Sequence, residues 1–227
     1  MKMNKAINVP DPAGFCAAFG DVGLKVGPRT GENKRTQDDK EWYVVRRFLR
    51  EGMLRRVFKT PFSIEKAHPP KPDFALDFND GNATAFLEIT EATRPADQRE
   101  MTEIGRSNQA TLLGEFGGRF SDGASQPGLA WASDVVDAIE RKVGKAIYSP
   151  SEANRHLVIY PNSNASFLLF DARDECAAFS FLAELIARER HRCVDMASGC
   201  FVHVLGKWWV CFDLLGESRL VRRIRKK

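Results

Sequence analysis

The sequence predicts a mixed α/β fold, in which a central mixed β-sheet is flanked by helices. Apolar residues at helical spacing precede residue 52, a hairpin pattern follows, and helices then alternate with strands towards the C-terminus. Elements in this order pack as helices on a sheet, because each must bury one apolar side. We therefore expect one domain over 37–227, preceded by an irregular arm over 1–36.

The composition restricts the class of protein before any motif is considered. The 227 residues are 43% hydrophobic and 28% charged, with a net charge of +4, which is typical of a globular chain in water. No stretch approaches the roughly 18 apolar residues of a membrane helix, and the first residues lack the apolar core of a secretory signal. Five scattered cysteines without CxxC spacing favour a reducing cytoplasm over a zinc site or a disulfide framework.

The first half of the domain is predicted to contain a helix and a hairpin. Apolar positions at helical spacing predict a helix over 37–51, with Gly52 as its end. An extended segment that Pro61 interrupts comes next. Residues 73–78 and 84–90 then form the two strands of an antiparallel hairpin, because an Asn-Asp-Gly-Asn turn separates them.

The second half is predicted to alternate between helices and strands. It begins with a long connection over 95–128 that contains a short helix. Ser133 is the expected N-cap of the next helix. The remaining elements are a strand at 155–161, a strand or apolar loop at 165–171, a helix and a closing hairpin within 174–214, and a basic tail at 218–227.

Two acidic residues lie in segments that otherwise indicate buried strands. Asp73 opens the first hairpin strand, and Glu88 lies in the second, on the same face as Thr90. Pairing across the turn places Asp73 opposite a residue near Glu88, so the two carboxylates converge. Such a pair raises one pKa unless a cation lies between the carboxylates, and paired carboxylates are natural Mg²⁺ ligands. Alternatively, both are strand-end acids that face solvent or pair with arginine.

Two helices place a charged residue on an apolar face. Lys142 lies in the same stripe as Ile139, and Glu41 lies between Val45 and Phe48. A lysine in a core-facing stripe must reach a carboxylate, a ligand or water, although snorkelling would explain either side chain. An acid and a lysine on inward stripes are what a buried polar site beneath the hairpin requires.

With these residues considered together, the pattern resembles the PD-(D/E)xK phosphodiesterase superfamily of restriction-endonuclease-like folds. The resemblance rests on the Pro-Asp that ends at Asp73, the spacing of fifteen residues to Glu88, and the Glu-Ile-Thr that begins there. The acidic helix before the hairpin and the helix–strand unit after it support the match. The resemblance covers about 41–161 and implies a restriction-endonuclease-like core. It departs from the family at Thr90, where the motif has lysine.

The resemblance implies a role for each matched position. Asp73 and Glu88 would hold Mg²⁺ or Mn²⁺, and Ile89 would lend its backbone carbonyl to the same ion. Glu41 is similar to the upstream helical acid that many members add to the site. These roles describe a divalent-metal site built at one end of the hairpin.

The function that the resemblance implies is metal-dependent hydrolysis of a phosphodiester in nucleic acid, with DNA favoured over RNA. Lys142 looks like the motif lysine relocated to the following helix, where it would orient the attacking water. Thr90 could then only donate a hydrogen bond. The nucleic-acid backbone would be held by a set of basic residues, namely Arg46, Arg47, Arg55, Arg56 and Lys145.

Two other functions stay open at this point. The same fold could have lost turnover, as Thr90 suggests, and serve as a nucleic-acid-binding or assembly module, with a homodimer or a protein partner. In a structural protein, Lys142 would pair with a carboxylate and leave no room for metal. A hydrolase needs Asp73, Glu88 and a lysine ammonium within a few ångströms of one point.

The four histidines lack ligand spacing and are expected to be structural or exposed.

Overall fold

The protein is built around a mixed β-sheet covered by helices on both faces, as a computed structural model shows. The structure describes residues 6–24, 36–67, 72–78, 84–93, 127–143, 154–161, 171–188, 200–215 and 220–223. Over these residues there are eight strands and four helices. The mixed α/β class predicted from the sequence is confirmed. Among the helices described, none is long and apolar enough to cross a membrane.

The strands lie in the sheet in the order in which they occur in the chain. In chain order, the elements are β1 (Ile7–Val9), α1 (Phe15–Phe19), α2 (Gln37–Leu54), β2 (Phe62–Lys66), β3 (Phe74–Phe78), β4 (Ala85–Ala92), α3 (Pro127–Val143), β5 (Arg155–Pro161), α4 (Ala172–Arg188), β6 (Cys200–Leu205), β7 (Trp209–Phe212) and β8 (Leu220–Arg223). Strands β1 to β4 are antiparallel to their neighbours, β4, β5 and β6 are parallel, and β6 to β8 are antiparallel again. The parallel neighbours need crossover connections, which contain α3 and α4.

Two apolar cores lie on opposite faces of the sheet. One packs under α1 and α2, and the other packs under α3 and α4. Alternation along β5 shows the division, because Val158 belongs to the first core while Leu157 and Ile159 belong to the second. The hairpin of β3 and β4, the strand β5 and the closing hairpin of β6 and β7 are confirmed as predicted.

Helix α2 extends three residues beyond its predicted end at residue 51. Its start is a capping box, in which the Thr36 hydroxyl accepts from the Asp39 amide and the Asp39 carboxylate accepts from the Thr36 amide. Gly52, predicted to end the helix, lies inside it. A Cβ at Gly52 would come within 2.1 Å of Cδ2 of Phe58, so this glycine permits a close approach of the Phe58 ring and does not end the helix.

The prediction of an irregular arm over 1–36 is wrong for residues 6–24. Strand β1 pairs with β2, and α1 buries Phe15 and Phe19, whose rings extend the core to Trp42. A strand of three residues and a helix of five are too short to show a periodic pattern. Residues 1–5 and 25–35 of that segment lie outside the described residues, and Thr36 is the N-cap of α2.

Two further boundaries differ from the prediction. Helix α3 begins at Pro127, a residue suited to the first helical turn because it has no amide to satisfy, so Ser133 lies within the helix and is not its N-cap. Strand β8 pairs with β7 inside the predicted basic tail, since an edge strand tolerates charged residues. The hairpin turn, the predicted short helix and the predicted strand or loop up to residue 170 lie outside the described residues.

Candidate functional site

The register of the hairpin brings the two predicted carboxylates together. Phe74 lies opposite Leu87, and one further step of this register places Asp73 opposite Glu88. The Oδ2 atom of Asp73 accepts a hydrogen bond from the amide of Ile89 at 2.8 Å. Ile89, predicted to lend its carbonyl to the site, thus contributes its amide to this contact, which orients the Asp73 carboxylate at the start of β3.

Asp73 is the residue of the site whose ionisation is most disturbed. Burial, followed by the nearby carboxylates of Glu88 and Glu41, raises the pKa of Asp73 to about 6. The Ile89 amide and the Lys142 ammonium act in the opposite direction. Within the described residues no cation forms an ion pair with Asp73. The charge of Asp73 is therefore offset by Lys142 only in part, without an ion pair.

Lys142 reaches the hairpin from α3, as its position in the apolar stripe predicts. Its Nζ atom lies 2.5 Å from Oε1 of Glu88, and both side chains are partly buried. No described residue bonds the other carboxylate oxygen of Glu88. Thr90 is buried on the same face of β4. The structure therefore brings Asp73, Glu88 and a lysine together, but with the lysine already paired to a carboxylate.

Glu41 reaches the same region from α2 and is held by two donors. Gln37 Nε2 donates to Oε1 of Glu41 at 2.8 Å, and Lys66 Nζ bonds Oε2. Lys66 also lies 3.0 Å from Oδ1 of Asp38. Although burial lowers it, hydrogen bonds to Glu41 and Asp38 raise the pKa of Lys66 overall. Glu41 therefore influences Asp73 as a nearby charge, while both of its own oxygens are occupied.

Lys66 is a site residue that sequence reasoning missed. It follows Phe62 and Ile64 on the inward face of β2, and both of those residues are buried in the core. The same argument that selected Lys142, a lysine at an inward position, would have found it. The signal was weak because a strand of five residues gives only three inward positions.

A second polar cluster lies at the end of β4 and was also missed. Lys40 pairs with Glu91, whose carboxylate further accepts from the hydroxyls of Tyr160 at 3.1 Å and Thr93 at 3.0 Å. Arg141 donates to the carbonyl of Thr93 at 3.1 Å. Unlike Asp73, Glu91 is surrounded by donors, so this cluster ties α2 and α3 to the end of the sheet.

The predicted nucleic-acid-binding residues have different surroundings. Arg46 donates to the carbonyls of Gly20 and Val22 at 2.8 and 2.7 Å, so it holds the turn after α1. Arg47 donates to a backbone carbonyl in the turn between β6 and β7. Arg55 is half-buried at the end of α2, and Arg56 is exposed. Lys145 lies outside the described residues. Arg46 and Arg47 thus have structural contacts that their positions in the sequence did not indicate.

Two histidines that are 47 residues apart in sequence are adjacent in the sheet. Nδ1 of His156 lies 2.8 Å from Nε2 of His203, and the amide of Asp213 donates to Nδ1 of His203 at 2.8 Å. Because His203 Nδ1 accepts, its Nε2 carries the proton and donates to His156. Burial lowers the pKa of His156 to about 4, and burial together with His156 lowers that of His203. The pair is therefore neutral and structural at neutral pH.

The carboxylates of the site suit a hydrated divalent ion better than a closed metal cage. In the described part of the chain, no group of three or more His, Cys, Asp or Glu side chains is arranged to hold a metal ion. Asp73 and Glu88 each have one oxygen bonded by the protein and one oxygen that no described residue bonds. Mg²⁺ keeps several waters and needs only one or two carboxylates, and a cation would offset the charge that raises the pKa of Asp73. These residues therefore fit Mg²⁺ or Mn²⁺.

A scan against models of protein families finds no match to this chain, and searches of curated proteins and of solved structures find none either.

Proposed function

We propose that this chain is a metal-dependent phosphodiester hydrolase that acts on nucleic acid, DNA rather than RNA. The observation that carries the proposal is the Asp73 carboxyl group, which is partly buried near Glu88 and Glu41 and has no ion-pair partner among the described residues. A buried carboxylate without a cation is unfavourable for folding, and such groups concentrate at functional sites. Lys142, arriving from α3, adds the ammonium that a hydrolytic site requires.

Each residue of the site has a distinct task in this proposal. Asp73 and Glu88 would hold Mg²⁺ or Mn²⁺ through the oxygens that no described residue bonds. When bound, the ion polarises the phosphate and lowers the pKa of a coordinated water. Lys142 would orient that water or stabilise charge on the phosphate oxygens, and Thr90 would donate a hydrogen bond. Glu41, which Lys66 holds, would adjust the charge of the site.

The surrounding elements also support the proposal. The acidic helix, the hairpin and the helix–strand unit on which the resemblance to PD-(D/E)xK enzymes rests correspond to α2, to β3 with β4, and to α3 with β5. Both charged residues expected on inward stripes, Glu41 and Lys142, reach the hairpin region. The five cysteines, which are scattered and lack CxxC spacing, support placing this protein in a reducing cytoplasm.

Cleavage assays with site variants test this function. Plasmid and single-stranded DNA would be incubated with Mg²⁺ or Mn²⁺ and with the wild type, Asp73→Asn, Glu88→Gln or Lys142→Met. We expect each variant to lose cleavage by about 100-fold or more, since each removes a metal ligand or a charge that stabilises the transition state. Asp77→Asn is the matched control, because Asp77 has an exposed side chain in β3, the strand that Asp73 immediately precedes. Cleavage that survives Glu88→Gln would refute the assignment.

One observation favours a second function. Lys142 is already paired with Glu88 at 2.5 Å, and Thr90 occupies the position of the motif lysine. If this pair persists, the chain would be a catalytically inactive member of the same fold that binds nucleic acid or assembles with another subunit. A wild type that binds DNA with a steep salt dependence, yet cleaves nothing with either metal, would support this function over hydrolysis.

A further inference from the structure

A half-exposed aromatic ring ends a column of stacked rings that crosses β5 and β6. Phe201 is 40% exposed, and its ring stacks on His156 with centroids 5.0 Å apart and 23° between the planes. His156 stacks in turn on His203 at 5.1 Å and 13°. One face of the Phe201 ring is thus covered by His156, while 40% of the residue stays exposed.

The column is held rigidly and carries no charge. The amide of Asp213 bonds His203, and Phe48 packs with its centroid 4.9 Å from the same imidazole. The hydrogen bond between the two imidazoles locks the next ring of the column. The imidazole on which Phe201 stacks is therefore held in place, and a fixed stacking partner reduces the entropy that Phe201 loses on binding.

A basic loop lies beside this column. The ring of Phe58 is 6.0 Å from that of His156, so the segment 54–59 borders the stack. Leu54 and Val57 of this segment are 71% and 41% exposed, and the remaining exposed residues are Arg56 and Lys59. Residues 50–59 contain four basic residues and a single acid, Glu51, which is buried. The surface thus combines an aromatic face with positive charge.

We propose that Phe201, Arg56 and Lys59 form a binding surface for unpaired nucleotides, in which a base stacks on Phe201 and phosphates lie at the two cations. A planar base continues the column, and its phosphates complement the basic loop. Bases inside a duplex have both faces covered by their neighbours, whereas unpaired bases have a face free for a side chain. The inference rests on the proposed function and narrows its substrate to nucleic acid with a single-stranded segment.

The surface lies close to the candidate site in the sheet. Phe201 pairs with His156, and His156 pairs with Leu87, so two strand spacings, about 10 Å, separate the backbone of Phe201 from the residue before Glu88. The side chains of Leu87 and Glu88 point to opposite faces of the sheet, so the stacking surface and the carboxylate of Glu88 lie on different faces.

Binding in the absence of metal tests the proposal without relying on cleavage. A labelled single strand of about twelve nucleotides and the matching duplex would be titrated with protein in EDTA, with fluorescence anisotropy as the readout. Phe201→Leu keeps an apolar side chain but removes the planar ring, and Phe201→Trp restores a ring. Tyr43→Leu is the matched control, because Tyr43 is equally exposed at 40% but lies on α2.

We expect Phe201→Leu to weaken single-strand binding by about 5- to 100-fold, and Phe201→Trp and Tyr43→Leu to leave it near the wild-type value. An Arg56→Gln, Lys59→Gln double variant should reduce the slope of log affinity against log salt by about 1.4, whereas Phe201→Leu should not change it. Equal binding by Phe201→Leu and Tyr43→Leu, or a preference for the duplex, would overturn the proposal.

The remaining outcomes separate this proposal from the proposed hydrolysis. If binding depends on Phe201 while cleavage survives Glu88→Gln or is absent altogether, only the hydrolytic assignment fails. If the chain binds no nucleic acid, both fail. Self-association that Phe201→Leu abolishes, without single-strand binding, would reassign the surface to a contact between copies of the chain and overturn the proposal.

Discussion

Replacing Asp73 with asparagine should stabilise the metal-free protein at neutral pH, although the change removes a proposed metal ligand. The Asp73→Asn side chain keeps an oxygen that can accept the hydrogen bond from the Ile89 amide, which the wild-type carboxylate accepts at 2.8 Å. It loses the negative charge that lies near Glu88 and Glu41. The variant therefore removes the unfavourable charge and preserves the local geometry.

The magnitude follows from the pKa of the folded state. Burial, together with Glu88, raises the pKa of Asp73 from 3.8 to about 6. Because folding disfavours the charged form, the wild-type free energy of unfolding decreases as the pH rises between these two values and stays lower above them. The difference between the two pKa values corresponds to about 3 kcal/mol in the free energy of unfolding. Because residual solvent contact of the carboxyl reduces this value, we expect Asp73→Asn to be more stable than the wild type by about 1–3 kcal/mol at pH 8.

Urea unfolding in EDTA at pH 8 and at pH 4 measures this effect. The advantage of Asp73→Asn over the wild type should be present at pH 8 and should shrink several-fold at pH 4, where the wild-type carboxyl is protonated in the folded state. Asp77→Asn, in an exposed position of β3, should change the free energy of unfolding at neither pH. Equal stability of Asp73→Asn and wild type at pH 8 would refute the reasoning.

Three further predictions concern stability. Gly52→Ala should destabilise the protein by about 1–3 kcal/mol in thermal or urea unfolding despite the better helix propensity of alanine, since the new Cβ would lie 2.1 Å from Cδ2 of Phe58; a gain in stability would contradict this. In an Asp73→Asn background, the free energy of unfolding should fall by about 1–3 kcal/mol as the pH drops from 6.5 to about 4. In this range His156 stays mostly neutral in the folded protein but is protonated in the unfolded chain, so His156→Gln should flatten that part of the pH profile. Glu175→Gln should cost about 1–3 kcal/mol in urea unfolding, since the buried carboxylate accepts from two backbone amides in the turn between β6 and β7, and unchanged stability would show that this contact is unimportant.

The main elements of the fold could be predicted because their signals are local. The helical repeat before Gly52 and the turn between the hairpin strands each lie within one stretch of chain. The same local rules predicted much of the site. Alternation along a strand placed Glu88, and the inward stripes of two helices placed Glu41 and Lys142, because a side chain's direction follows from the geometry of its own element.

The features that could not be predicted arise between elements that are distant in sequence. Lys66 takes the Glu41 carboxylate, and His156 meets His203, only after β2 has met α2 and β5 has met β6. Gly52 was predicted to end α2, whereas its structural role is to make room for Phe58, which comes from the following loop.

By itself, the sequence determined the mixed α/β class, the hairpin, and the two carboxylates that meet across it, because periodicity and turn chemistry act over a few neighbouring residues. Only the tertiary structure decided how those groups are charged and paired. Asp73 has a raised pKa, Glu88 is bonded by Lys142, and Glu41 is bonded by Lys66. Ion pairs and desolvation depend on distances of a few ångströms between separate elements, and those distances exist only once the sheet and its helices have packed.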